Sequence, residues 1–301
     1  MIIFLDDITK NLKFCIYIHS HCSFKNSKTQ SFIKHIIMKL TKKIISTIMF
    51  LTITVSLFVN SQNKTEGGEI SQAWKQVEEY ANDALPESAL EEVEKILTEA
   101  EKKQNMPEFI KAFVYKMRFT LEKNPDEAPK LITDFEALIA KQNNPADKAL
   151  FSSMTAELYS MFYQSNNYAV NQRTDLQGYT PEDINEWTKS NYVDKISTLL
   201  AESLASPQIL QQTDINSYKI LLNQGEDNDE LQPTLFDFLA NRRIALLQEF
   251  SYESDMQSNF SDENLFADAD KFIKASFNES STSSIYFQII QTYQQLLDFR
   301  L

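Results

Sequence analysis

Glycine is the residue this chain most conspicuously lacks, with four in 301 positions. Tight β-hairpin turns depend on residues that accept positive φ, above all glycine, so a sheet protein of this length has almost nothing from which to build its reversals. The expected fold class is therefore all-α. Apolar residues make up 43% of the chain, enough for a substantial core in one large or two small domains. Charge is unevenly spread: residues 1–60 hold 8 Lys+Arg and 2 Asp+Glu, leaving 21 and 40 in residues 61–301, a net −19 for the body. An acidic body argues against nucleic acid as a partner, because a phosphate-binding surface needs clustered Lys and Arg.

Cysteine and histidine narrow the chemistry further. Cys15, Cys22, His19, His21 and His35 all precede residue 38, and neither amino acid occurs afterwards. Residues 38–301 alone therefore cannot build a Cys–His or Ser–His–Asp nucleophile, a thiol redox centre or a zinc site with His or Cys ligands.

Met38 opens a stretch in which Lys39, Lys42 and Lys43 precede an apolar run from Ile44 to Val59. This is the form of a secretory signal peptide over 38–61. The run is short for a bilayer span, and Val59-Asn60-Ser61 offers a cleavage site before Gln62. An uncleaved signal anchor is the competing reading, and would be the chain's one tie to a membrane. Residues 1–37, basic and apolar without a clear period, read as an upstream extension, with translation expected to start at Met38. Export to the periplasm or cell surface follows, and a body without cysteine needs no disulfide chemistry there.

After a flexible leading segment at 62–69, the expected domain over 70–301 is helical throughout. Ala89, Val93, Ile96, Leu97 and Ala100 form one apolar stripe, Ile110, Phe113, Val114, Met117 and Leu121 a second, and Leu131, Ile132, Phe135, Leu138 and Ile139 a third, all at helical spacing. Prolines at 86, 107, 125, 145, 181, 207 and 233 fall between stripes, where a first helical turn accepts a residue without an N–H. Helix pairs starting near Pro86 and Pro125 suggest an irregular array of antiparallel helical hairpins resembling tetratricopeptide repeats or another α-solenoid. Further helices are predicted over 181–204, 207–223, 233–250 and 265–276, and from Ile285. The last ends on Leu296, Leu297, Phe299 and Leu301 without a cap, so an apolar surface and a truncated C-terminus are expected there.

The sequence offers no catalytic, cofactor-binding or metal-ligating set that meets its own requirements. The acidic run Glu226-Asp227-Asn228-Asp229-Glu230 has the ligand type for calcium but neither the spacing nor the glycine of the twelve-residue calcium loop, and reads as a solvated loop. Paired carboxylates are plentiful, but acid–base hydrolysis also needs a cleft that raises one pKa. Trp74, Trp187, Tyr159, Phe162, Tyr163 and Tyr168 are open to two readings, a binding groove or core; Tyr159, Phe162 and Tyr163 at i, i+3, i+4 favour core. Arg242-Arg243 reads as a clamp for an acidic partner or, more economically, as members of local ion pairs of small worth.

Four segments carry a family likeness: Trp74-Lys75-Gln76-Val77-Glu78, Leu85-Pro86-Glu87-Ser88-Ala89-Leu90, Lys111-Ala112-Phe113 and, above all, Pro233-Thr234-Leu235-Phe236-Asp237-Phe238-Leu239-Ala240. In this order, over about 70–301, the chain resembles the helical N-terminal region of the large secreted alpha-2-macroglobulin-like proteins of Bacteroidetes. The resemblance implies a setting of protease trapping, in which a cut bait segment triggers enclosure or covalent capture. It carries over no functional residue, since the thioester run needs a cysteine that the body lacks. The expected function is a non-catalytic helical head of such an inhibitor, docking on a protein partner, a protease or an envelope protein. The alternative is a free-standing helical interaction module of the cell envelope.

Overall fold

A computed structural model describes residues 68–175, 178–221, 231–251, 263–277 and 285–301. The upstream extension, the signal segment, both cysteines, all three histidines and the acidic run 226–230 lie outside the described residues. Regular structure among the described residues is helical, apart from one isolated antiparallel bridge between Asp214 and Thr234. The chain divides into two compact units, Met1–Glu127 with Tyr218–Gly225, and Ala128–Ser217 with Glu226–Leu301.

In the first unit, α1 (Gly68–Asn82), α2 (Pro86–Lys102) and α3 (Met106–Lys123) pack in succession. The helix thus starts inside the stretch expected to be a flexible lead. Ala89, Val93, Ile96 and Ala100 bury the predicted face of α2, which meets Trp74 and Val77 from α1 and Ala112, Tyr115 and Phe119 from α3. Trp74 lies edge-on to Tyr115 at 4.8 Å and donates its indole N–H to Glu108 at 2.9 Å. Both helix-to-helix turns follow one plan. Ala84 (φ 56°) and Gln104 (φ 55°) take the left-handed conformation, Leu85 N–H reaches back to the Tyr80 carbonyl, and Asn105 N–H to that of Ala100, both at 2.9 Å. This is the Schellman closure, in positions where glycine is usual.

The second unit is built around α5 (Pro145–Val170), 26 residues long and apolar or buried on most sides. Against it pack α4 (Ala128–Ala137), α6 (Lys189–Glu202), the short α7 (Pro207–Gln212) and α8 (Leu235–Ser251). Phe135 of α4 meets Phe151 of α5 at 5.1 Å, and each such ring fully removed from water contributes about 1.5–3 kcal/mol. On α8 packs α10 (Ile285–Arg300), which also holds α9 (Ala269–Lys274): the Gln294 amide donates to the carbonyls of Phe272 and Ala275 at 2.8 and 2.9 Å.

Several predicted helices are shorter than their patterns. Only 189–202 of the expected 181–204 is α-helical, because Thr188 and Asn191 form a reciprocal capping box that starts the helix there. The predicted 207–223 helix stops at Gln212: Leu235 N–H donates to the Thr213 carbonyl at 2.9 Å and Ile215 N–H to that of Pro233 at 3.1 Å, so strand-like pairing takes over. Pro125 opens a single 3-10 turn that runs directly into α4 at Ala128, so the helix expected near Pro125 is present. The C-terminal helix is partly covered, with Phe299 edge-on to Phe236 at 5.4 Å and the Arg300 guanidinium on Asp237, while Leu301 stays 77% exposed.

Candidate functional site

Tyr159 on α5 and Lys195 on α6 converge on Glu136 of α4. The Tyr159 hydroxyl donates to one Glu136 oxygen at 2.6 Å and the Lys195 ammonium binds the other. Burial and then the Glu136 carboxylate hold the Tyr159 phenol far above its ordinary range, so it stays a proton donor. Trp187 stacks on Tyr159 with centroids 5.3 Å apart and meets the Tyr192 ring edge-on at 5.2 Å. The Tyr192 phenol, also raised by burial, lies at about 12 and donates to the Ile184 carbonyl. Of the aromatic residues that sequence leaves between groove and core, Trp74, Tyr159, Tyr163 and Trp187 are core, Phe162 is half-buried, and Tyr168 is 73% exposed.

A second polar cluster runs along α5, where Ser153, Glu157, Ser160 and Gln164 recur at i, i+4, i+7, i+11. They face Arg242 and Glu249 of α8: Arg242 binds Glu157 and donates from Nε to Ser153 at 3.1 Å, and Glu249 accepts from Ser160 at 3.1 Å and Gln164 at 2.6 Å. Arg242 is 4% exposed and Arg243 8%, so neither is a surface clamp, and the Arg242 pair is a buried one rather than a solvated one. Sequence reasoning passed over Glu136, Glu157, Lys195 and Glu249. The polar stripe on an otherwise apolar helix was the available signal for Glu157 alone.

The remaining feature is a surface one. Between α5 and Ile184 the described residues form no regular structure, yet they are tied at many points. The Arg173 guanidinium holds the Trp187 carbonyl, and the Trp187 indole donates to the Pro181 carbonyl at 2.7 Å. Ser190 donates to Asp175 at 2.7 Å and Asn191 to Thr180 at 3.3 Å, and hydrogen bonds from Thr188 and Ser190 hold the Asp175 carboxyl below its ordinary range. Gly178, at φ +75°, supplies the left-handed residue of this segment. Tyr179 in this segment is 59% exposed, and Tyr168 is exposed in the last turn of α5 before it. Ser165, Asn166, Asn171, Gln172 and Thr174 are exposed around them in sequence.

Among the described residues no cluster of three His, Cys, Asp or Glu has metal-ligating geometry, and no helix is long and apolar enough to cross a membrane. No family model matches the chain, and comparison with curated proteins and with solved structures finds no match.

Proposed function

We propose that this chain is a non-catalytic helical module that works by binding another protein, in the setting its sequence resembles, the helical N-terminal region of secreted alpha-2-macroglobulin-like proteins. One observation carries the reading: the described residues of the irregular segment after α5 are tied by side-chain hydrogen bonds and present Tyr179 to solvent, with Tyr168 exposed in the last turn of α5. Tyrosine supplies large amphipathic contact area with only two side-chain torsions to freeze, and a loop already held in place loses little further entropy on binding. The reading is supported by the pairing of polar groups with one another, Glu136 with Tyr159 and Lys195 and Glu157 with Arg242.

The resemblance implies β-sandwich macroglobulin domains after the helical head, and these are the first protein partner to test, ahead of a protease or an envelope protein. The test begins with the DNA beyond codon 301. Any β-sandwich continuation is expressed separately and titrated calorimetrically with this chain and with the Tyr168→Ala/Tyr179→Ala variant. The reading expects saturable binding that the double variant weakens by roughly 30-fold or more, as two interface tyrosines would. Binding unchanged in the variant overturns the role of this segment. Absence of any β-sandwich continuation overturns the macroglobulin setting and favours the free-standing envelope interaction module.

A further inference from the structure

Arg243 differs from its neighbour in having no counter-charge among the described residues. Among the described residues it forms no ion pair; its one hydrogen bond, from Nη2 to the Gln288 side-chain oxygen, is 3.5 Å long, and its Nε is buried without a partner. The side chain is 92% removed from water by its 8% exposure, and burial alone acts on its proton affinity, lowering it. Guanidinium nevertheless keeps its charge in proteins, so the cost of desolvation falls on the fold. A cation left in this state calls for an anion that the described residues do not supply.

The surroundings say where that anion would sit. Helices α8 and α10 run antiparallel, Asp237 meeting Arg300 at one end and Arg243 meeting Gln288 toward the other. Gln288 is one turn into the sixteen-residue α10, and helical side chains lean back over the turn before them. The guanidinium therefore lies beside the N-terminal turn of α10, where backbone N–H groups lack intrahelical acceptors and the helix dipole favours negative charge. The Gln288 carboxamide, whose oxygen faces Arg243, keeps two N–H donors for another acceptor. Buried guanidinium, carboxamide N–H and helix N-terminus share one preference.

We propose that Arg243, Gln288 and the first turn of α10 form a binding site for a small oxyanion of the carboxylate or phosphate class. The forked guanidinium matches two oxygens of either, and binding would neutralise the buried charge in place. This site is independent of the exposed tyrosines.

Calorimetry on the full chain at constant ionic strength, with inorganic phosphate and acetate as probes, tests it. Saturable binding of at least one probe is expected, weakened ~10- to 100-fold by Arg243→Met, in line with loss of hydrogen bonds from a charged donor. Met has a similar reach and no charge, so without anion the variant should melt no lower than the unsubstituted protein. Gln288→Ala, at a half-buried position, should weaken binding several-fold and serves if Arg243→Met does not fold. Absence of binding by both probes up to ~10 mM overturns the site, as does equal affinity in the variants. So does a destabilised Arg243→Met protein whose parent shows no anion response, because an internal counter-charge would then be in place.

Discussion

The two compact units place their ion pairs differently. In the first, ion pairs lie on the outside, Lys95 with Glu92, Lys103 with Glu99, Lys116 with Glu94 and Lys123 with Glu87, and the core cluster is apolar save for the Trp74 and Tyr115 polar tips. In the second, Arg242–Glu157 is interior, and Asp237, 3% exposed in its side chain, pairs with Arg300. Water screens and competes with the first set, so each pair adds little. In the second set both carboxylates are shielded, so each depends on its cation. The contrast teaches that a single count of charges conceals two roles: solubility for one unit, and alignment of neighbouring helices for the other.

Breaking that contrast should show first at Glu157. Glu157→Ala strips the buried Arg242 of its counter-ion and should cost about 3–5 kcal/mol in denaturant unfolding. Glu99→Gln removes an exposed partner of Lys103 and should leave the midpoint unchanged. Equal losses from the two substitutions would abolish the distinction between the units.

Next in size is Asp237. Its carboxylate accepts from the Thr234 backbone N–H at 3.1 Å and from the Thr234 hydroxyl at 2.6 Å, closing the start of α8, and it also binds Arg300. Asp237→Ala should cost about 2 kcal/mol and loosen α10, seen as faster amide exchange along 285–300. Unchanged exchange in α10 would show that the Arg300 contact holds nothing.

Smaller, and of opposite sign, are changes in the first unit's turns. Ala84 and Gln104 bear the steric cost of the left-handed conformation that glycine avoids. Ala84→Gly and Gln104→Gly should each stabilise by about 0.5–1 kcal/mol in thermal melts, less than the full strain because glycine also gains entropy when unfolded. A loss of stability at both sites would mean that these turns carry no strain.

The scarcity of glycine made the all-α class legible, and the two left-handed turns show how the fold manages without it. The α2 stripe and the Phe135 face were also legible, because helical period reports burial directly. Helix ends after 180 were not. The stop at Gln212 comes from pairing with residues twenty positions onward, which no local pattern contains. The capping box Thr234-x-x-Asp237 was present in the sequence, but its second use, as the seat of Arg300, is tertiary. Arg242 and Arg243 look alike in sequence and differ only because successive helical positions face different neighbours, α5 for one and α10 for the other.

The smallest effect sharpens the comparison from the surface of the second unit. Partial burial on α6, then the nearby Asp175 carboxylate, raise the Asp194 carboxyl above its ordinary value. The folded state therefore holds this proton to higher pH than the unfolded chain does, and stability from this group falls as pH rises through that window. Asp194→Asn removes the penalty, so its midpoint should lie slightly above that of the unsubstituted protein at pH 7, and the gap should close as pH drops below both values. Much of this field is screened at so open a position, and the gap should shrink again in high salt only to the extent that Asp175 contributes. A gap indifferent to pH would assign the effect to side-chain packing; a reversed gap would mean that the ionised Asp194 is favoured in the fold, and that α6 gains from charge as the interior of its unit does.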